Sequence, residues 1–498
     1  MINIKKNKLF SILSKSYLAK AFSLFSLVQI ISALTSFGIL ILYTNFLPAE
    51  EFGKISIIWI FVMVTSILID GGLNSSFSIR FYKVSKEENT KNIYSIFIYN
   101  SIIFGIFFLF FLMFPKLLQN ILQVEILRSD LTIIFLLILF MIFGNFYTNI
   151  LIVDKKPKHY FIVKLIFNTI LIVSSVVYLI VLKEGYISYL KAYLISYFVV
   201  TIGGLYFFIS NYKPWFKFSI SLNNLKSLLK LGLPLVPNTL MLILLTWADR
   251  YILNLYTGLA VVGIYTVGYR FAEVINNFII NPFGQALCPS LFQQYSKSKD
   301  EYKKTLGKVF KYYWLVMFSI MIAYFTILRE VFQLFIGIEY IKGYDIVGIV
   351  LIGVILWGMT NLLGATVVMK EKTNIMFLFT FISVTLNIVL NFVLIPTYGM
   401  YGAAVATMVS YTLQFTMIFI YTQKLVFINY DYKFILKSVS VSVLFFILIL
   451  FLSYLKINIF LRFGLKAGLF LLFILMSYKF LELKKYIKGF MNYGIKTK

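Results

Sequence analysis

The sequence is poor in the residues that carry most enzyme chemistry. It holds one cysteine, Cys288, and one histidine, His159, in 498 residues. A single cysteine excludes an internal disulfide and any multi-cysteine metal site. One histidine in a short basic loop leaves almost no material for zinc or Cys/His catalysis. Charge is scarce as well: 13% of the chain is Asp, Glu, Lys or Arg, against about 25% in an ordinary soluble domain. Acids are the rarer sign, 19 against 46 basic residues. Arginine is rarer still, confined to Arg80, Arg128, Arg250, Arg270, Arg329 and Arg462.

What remains is apolar. Hydrophobic residues make up 60% of the chain, above the roughly 45–50% of a typical soluble domain. That excludes a soluble globular protein and a disordered one, and leaves an all-α polytopic membrane protein. A spanning helix needs roughly 20 apolar residues. Fourteen candidate spans fall between residues 18 and 480, among them 52–81, 227–257 and 260–291. Residues 1–17 are basic and mixed, and the apolar stretch after them is too long for a cleavable signal.

The formal charge of +27 would suggest nucleic acid in a soluble protein. Here it follows the loops. With the N-terminus in the cytoplasm, 33 of the 46 basic residues fall on the cytoplasmic side and eight outside. One missed span would invert every later loop, so the split supports fourteen spans with both termini cytoplasmic. Membrane lipids, and no nucleic acid, are the partners this charge implies.

Two halves are legible. Moving residues 144–197 forward by 214 places Gly144 on Gly358, Lys156 on Lys370, Gly185 on Gly399 and Ser196-Tyr197 on Ser410-Tyr411. A shift of 210 places Gly53 on Gly263. The expected organisation is a six-helix bundle over 1–210, a cytoplasmic linker over 211–225 and a second six-helix bundle over 226–424. An extra helix pair and basic tail fill 425–498. Six is even, so the bundles are parallel repeats, with a site expected between them near the midplane.

Polar residues inside spans need a reason, since a charge at a span centre costs about 2.5–3.5 kcal/mol on insertion scales. Arg270, Glu273, Asn277, Asn281 and Gln285 recur at steps of three and four, on one helical face. That face is either a self-neutralising Arg270–Glu273 pair, or a cavity lining, or both. Ser66, Asp70, Asn74 and Ser78 form a similar stripe in the second span. Adjacent Asp249 and Arg250 should point about a hundred degrees apart. Arg250 is open to a phosphate-binding or a snorkelling reading, as is Lys164. Asp70, Glu273 and Asp249 are candidate proton or sodium sites, and no other cofactor is implied. Pro234 and Pro237 in the seventh span, and Pro282 and Pro289 in the eighth, are kink or hinge positions.

The runs Leu231-Gly232-Leu233-Pro234-Leu235-Val236-Pro237-Asn238, Trp247-Ala248-Asp249-Arg250-Tyr251-Ile252-Leu253-Asn254 and Ile395-Pro396-Thr397-Tyr398-Gly399 carry a resemblance. The whole chain resembles Wzx-type flippases of the multidrug/oligosaccharidyl-lipid/polysaccharide exporter superfamily. The resemblance implies a cationic cavity between two bundles. It implies an undecaprenyl-pyrophosphate-linked oligosaccharide moved to the outer leaflet of a bacterial cytoplasmic membrane, for O-antigen or capsule synthesis, with polymerase and chain-length machinery as possible partners. An ion-coupled multidrug or cation exporter is the alternative within the superfamily. A membrane glycan polymerase or ligase would need a large outer loop with catalytic groups, and none is present.

Overall fold

A computed structural model describes residues 2–212 and 221–480. The expected linker over 211–225 lies mostly outside them. Among the described residues every regular element is helical. The first ten helices are α1 (Ile2–Phe46), α2 (Ala49–Asp70), α3 (Leu73–Arg80), α4 (Lys86–Met113), α5 (Pro115–Leu122), α6 (Arg128–Val153), α7 (Pro157–Val176), α8 (Ile187–Tyr212), α9 (Leu222–Gly232) and α10 (Val236–Thr257). Then come α11 (Leu259–Ile275), α12 (Asn281–Lys297), α13 (Lys299–Phe335), α14 (Tyr344–Met369), α15 (Thr373–Leu425), α16 (Tyr432–Tyr454) and α17 (Ile459–Phe480). Twelve described helical segments are long and apolar enough to cross a membrane, which makes this a multi-pass membrane protein. The twelve include one 52-residue run, Asn374–Leu425, and omit the polar stretch 259–297. Inside the long run Gly399 has φ 53° and ψ −131°, so α15 is two helices joined at a kink.

The chain packs as two compact units. One comprises residues 1–267 with 384–407, the other 268–383 with 408–498. In the first unit α8 lies along α6 and α7, α1 along α7, and α2 along α6 and α10. Its core runs through Phe77, Ile93, Phe146, Ile150 and Leu151, with the Phe77 and Phe146 rings 5.2 Å apart. Helix α4 shows the logic of burial in a bilayer. It buries Asn89, Asn92, Ser95 and Asn100 and exposes Ile102, Ile106, Leu109 and Met113. The apolar stripe costs nothing against lipid, while the polar groups need protein around them.

In the second unit α13 packs along α16, α17 and α14, and α16 along α17. Helix α16 buries Ser438, Ser442, Phe445, Ile449 and Ser453, at helical spacing on one face. Small hydroxyl residues let helices approach closely where lipid supplies no hydrophobic drive.

The second span, expected as one helix over 52–81, is broken. Gly71 and Gly72 have φ of 56° and 75°, left-handed values that only glycine adopts cheaply. They end α2 and start α3. The seventh span is broken too, by a 3-10 turn over Leu233–Leu235 that contains Pro234. The two breaks interlock: a Cβ on Gly72 would lie 2.2 Å from the Gly232 carbonyl oxygen, and one on Gly232 2.6 Å from that of Gly72. Both contacts admit hydrogen only.

Two of the positions paired by the 214-residue shift can be compared in backbone conformation. Gly185 and Gly399, 214 apart, both have positive φ, 63° and 53°. The preceding hairpins match at 216 instead. Lys156 N–H donates to the Leu151 carbonyl at 2.9 Å, and Lys372 N–H to that of Val367 at 3.1 Å. Lys155 and Glu371 hold φ of 55° and 57°. So Lys156 corresponds to Lys372 rather than Lys370, and the ungapped alignment is two residues out of step at this turn.

Candidate functional site

The polar face expected over 270–285 lies on a helix that changes pitch. Helix α11 ends at Ile275, a π-turn covers Asn276–Ile280, and α12 begins at Asn281 with Pro282 in its first turn. The pitch change matters for the stripe. Each four-residue step in an α-helix overshoots a full turn by about 40°. The three steps from Glu273 to Gln285 would therefore drift by roughly 120°. A π-turn inserts one extra residue, which takes back roughly 100°. Glu273, Asn277, Asn281 and Gln285 thereby stay on one face. Asn277 and Gln285 are exposed, while Arg270, Glu273 and Asn281 are half-buried. Just ahead of the π-turn, the Tyr324 hydroxyl donates to the Phe271 carbonyl at 2.9 Å, satisfying backbone where the helix departs from regularity. Pro289 lies within α12.

Asp249 and Arg250 do not diverge as adjacent helical residues should. Arg250 Nη1 donates to Asp249 Oδ1 at 2.9 Å and to the Thr246 carbonyl at 2.6 Å. The guanidinium lies 4.3 Å from the Trp247 ring, and the Tyr265 hydroxyl donates to the other oxygen of Asp249. Arg250 is 0% exposed and Asp249 1%. The expectation of divergent directions treats the side chains as short vectors from the helix axis. The arginine stem is long enough to fold back, and burial makes neutralisation by the adjacent carboxylate the favourable outcome.

The stripe of the second span is likewise turned inward. Asn149 Nδ2 donates to Ser78 Oγ at 2.8 Å and to the carboxamide oxygen of Asn74. Ser66 bonds its own helix at the Val62 carbonyl. Asp70 is half-buried at the end of α2, where Oδ2 accepts from the Asn74 N–H at 3.2 Å. The helix break at Gly71–Gly72 separates Ser66 and Asp70 from Asn74 and Ser78, so the four do not form one continuous face. Lys164, half-buried on α7, has its ammonium 5.5 Å from the Phe167 ring and 5.9 Å from that of Tyr160.

One polar cluster escapes sequence reasoning. Glu330 on α13 accepts from Arg462 Nε at 2.9 Å and from Lys466 Nζ at 2.6 Å, both on α17. Arg462 also donates to Gln333. Lys466 is 0% exposed. Its signal was a lysine stranded inside an apolar span, but its partner lies 136 residues away in sequence. Arg329, next to Glu330, rests its guanidinium 4.6 Å from the Tyr454 ring.

The chain belongs to the polysaccharide biosynthesis protein family, whose model matches residues 18–295. It is 28% identical over 195 residues to a probable low-salt glycan biosynthesis flippase, Agl15, of Haloferax volcanii. That match covers 38% of this chain and 40% of the relative, so the alignment spans less than half of either protein. The fold is similar to that of the lipid II flippase MurJ in an inward closed conformation, with a TM-score of 0.74 and 17% identity. That likeness covers 92% of this chain and 99% of MurJ. It is also similar to an inward-facing multidrug resistance MATE family transporter, at TM-score 0.63 and 13% identity over 80% of this chain and 95% of that one. The family match agrees with the resemblance read from the sequence, and the solved structures share the fold.

Proposed function

We propose that the protein is a flippase that carries undecaprenyl-pyrophosphate-linked oligosaccharide from the inner to the outer leaflet of a bacterial cytoplasmic membrane. The movement is by alternating access, and the product feeds surface polysaccharide such as O-antigen or capsule. One observation carries the reading beyond family membership: the polar face over 270–285 stays in register through a π-turn, with Asn277 and Gln285 accessible. A polar stripe on a membrane helix is stable only against water, protein or a polar cargo. Amide groups suit sugar hydroxyls, and Arg270 suits a pyrophosphate through its forked donors.

In this reading the sealed Asp249–Arg250 pair positions α10 rather than touching cargo. Lys164 attracts lipid phosphate near the inner interface. Glu273 and Asp70 are the carboxylates that would take up a proton or sodium. Pro234, Pro237, Pro282 and Pro289 lie in the two spans that would flex. Counting α15 as two passes and adding 259–297 gives fourteen, with both termini cytoplasmic. Polymerase and chain-length proteins would receive the product.

The test is a sidedness assay for lipid-linked oligosaccharide in cells that lack the protein. Accumulation on the cytoplasmic side is expected, relieved by the wild type and not by Arg270→Ala. If no lipid-linked sugar accumulates, the flippase reading fails. The carboxylates Asp70 and Glu273 favour a second reading, ion-coupled export of organic cations. That reading predicts cation efflux abolished by Glu273→Gln, with lipid-linked sugars unchanged.

A further inference from the structure

The first three turns of α13 carry a basic face that the transport reading leaves unused. Asp300, Lys303, Lys304, Gly307, Lys308 and Lys311 line one side of a pocket of about 540 Å³. Their spacing of three and one, repeated, places all six on one stripe of the helix. Phe427, Ile428, Asn429 and Asp431 form the other wall. The size falls within the range of roughly 300–1,000 Å³ typical of ligand sites. Glycine in a helix interior costs about 1 kcal/mol against alanine. At 307 it leaves the centre of the stripe without a side chain to fill the pocket.

The wall is held in place. Lys311 Nζ pairs with Asp431 Oδ2 at 2.7 Å, and Asp431 Oδ1 accepts from the Phe434 N–H at 3.1 Å, capping α16. Gln423 brackets the same segment, its Oε1 accepting from the Ile428 N–H and its Nε2 donating to the Ile428 carbonyl. Four lysines against two aspartates in the lining leave two positive charges. The charge calls for a compact anion, and lysine ammonium groups suit phosphate as point charges.

The rim identifies what carries the phosphate. Phe427 lines the pocket and is 74% exposed. Tyr432 and Leu436, one turn apart at the start of the following helix α16, are exposed as well. A cationic cup edged by an exposed aromatic ring, with exposed apolar side chains on the helix that follows, suits a molecule with an anionic head and an apolar body. A soluble polyanion has no use for the apolar rim. Lysine-rich ends of membrane helices mark the cytoplasmic side, and basic pockets there hold anionic headgroups.

We propose that this pocket binds the phosphate of an anionic phospholipid headgroup in the cytoplasmic leaflet, with Lys303, Lys304 and Lys308 as its cationic contacts and Phe427 against the glycerol and upper acyl region. The site shares no lining residue with the polar face over 270–285 and does not depend on the transport reading.

The test is native mass spectrometry of the full chain, released from nanodiscs of zwitterionic lipid doped with phosphatidylglycerol or cardiolipin. Wild type should retain the anionic lipid. Lys303→Gln, Lys304→Gln and Lys308→Gln should each lower retention by on the order of fivefold, and the three arginine replacements should preserve it. Phe427→Ser should weaken retention while leaving the charge intact. Retention unchanged in the triple glutamine variant overturns the proposal. So does displacement of the lipid by millimolar inorganic pyrophosphate, which would mark a soluble-anion site. Preference for polyprenyl phosphate over phosphatidylglycerol would overturn the choice of a bilayer lipid.

Discussion

Gly53 and Gly263 meet backbone to backbone in a reciprocal contact. A Cβ on Gly53 would lie 1.9 Å from the Leu259 carbonyl oxygen, and one on Gly263 would lie 2.0 Å from the Ala49 carbonyl oxygen. Each glycine faces the residue four places before the other, which is the pattern of a two-fold contact. Residues 49 and 259, like 53 and 263, are 210 apart. Gly53→Ala or Gly263→Ala should cost about 1–3 kcal/mol through overpacking. Gly105→Ala, with nothing within 4 Å, should be neutral. Thermal unfolding of the purified variants checks the contrast, and equal melting for all three would show that the backbones part easily.

The buried pair on α10 should behave as a unit. Asp249→Asn or Arg250→Met alone leaves one uncompensated charge and should cost roughly 3–5 kcal/mol. The double variant should lose much less than the sum. A double-mutant cycle on detergent-solubilised protein reads the coupling energy. Simple additivity would mean that the two charges are stabilised separately.

The cluster between α13 and α17 makes a different demand. Glu330→Gln removes the carboxylate shared by Arg462 and Lys466, and roughly 3–5 kcal/mol should be lost. Adding Lys466→Met should restore part of it. Limited proteolysis that follows release of α17 from α13 is the measurement, and unaltered protection in Glu330→Gln would refute a fastening role.

Substitution on the polar face should separate transport from stability. Asn277 and Gln285 are exposed, so Asn277→Ala and Gln285→Ala should change stability by no more than about 0.5 kcal/mol. Translocation should nonetheless fall several-fold in the sidedness assay. Loss of folding and transport together would return the face to a packing role.

The loop pin at Asp431 predicts a pH effect. The hydrogen bond from Lys311 holds the Asp431 carboxyl below the usual carboxylate range. A depressed carboxylate stabilises the fold above its ordinary pKa and stops doing so as pH falls through the folded value. Hydrogen exchange across 426–431 should therefore quicken in acid and be steady near neutrality. Asp431→Asn should exchange quickly at both, and a pH-independent wild type would contradict the pin.

How much of this was legible depended on the range of the physics involved. The membrane class and the helical fold follow from the sequence by itself, whereas the stripe over 270–285 needed the π-turn to stay on one face. Apolar excess and helical spacing are local, and lipid forces every spanning backbone to satisfy its own hydrogen bonds. The prolines of the seventh span marked a break for the same reason, since Pro234 removes a donor wherever it sits. Tertiary structure alone decided the partners. Gly71 and Gly72 read as part of one long helix until the left-handed break pressed Gly72 against Gly232. Lys466 had no visible counter-ion until α17 packed on α13. Arg250 had two readings until burial closed it onto Asp249. Where each buried charge finds its opposite depends on which helices lie side by side, and helical spacing along a single chain does not specify that.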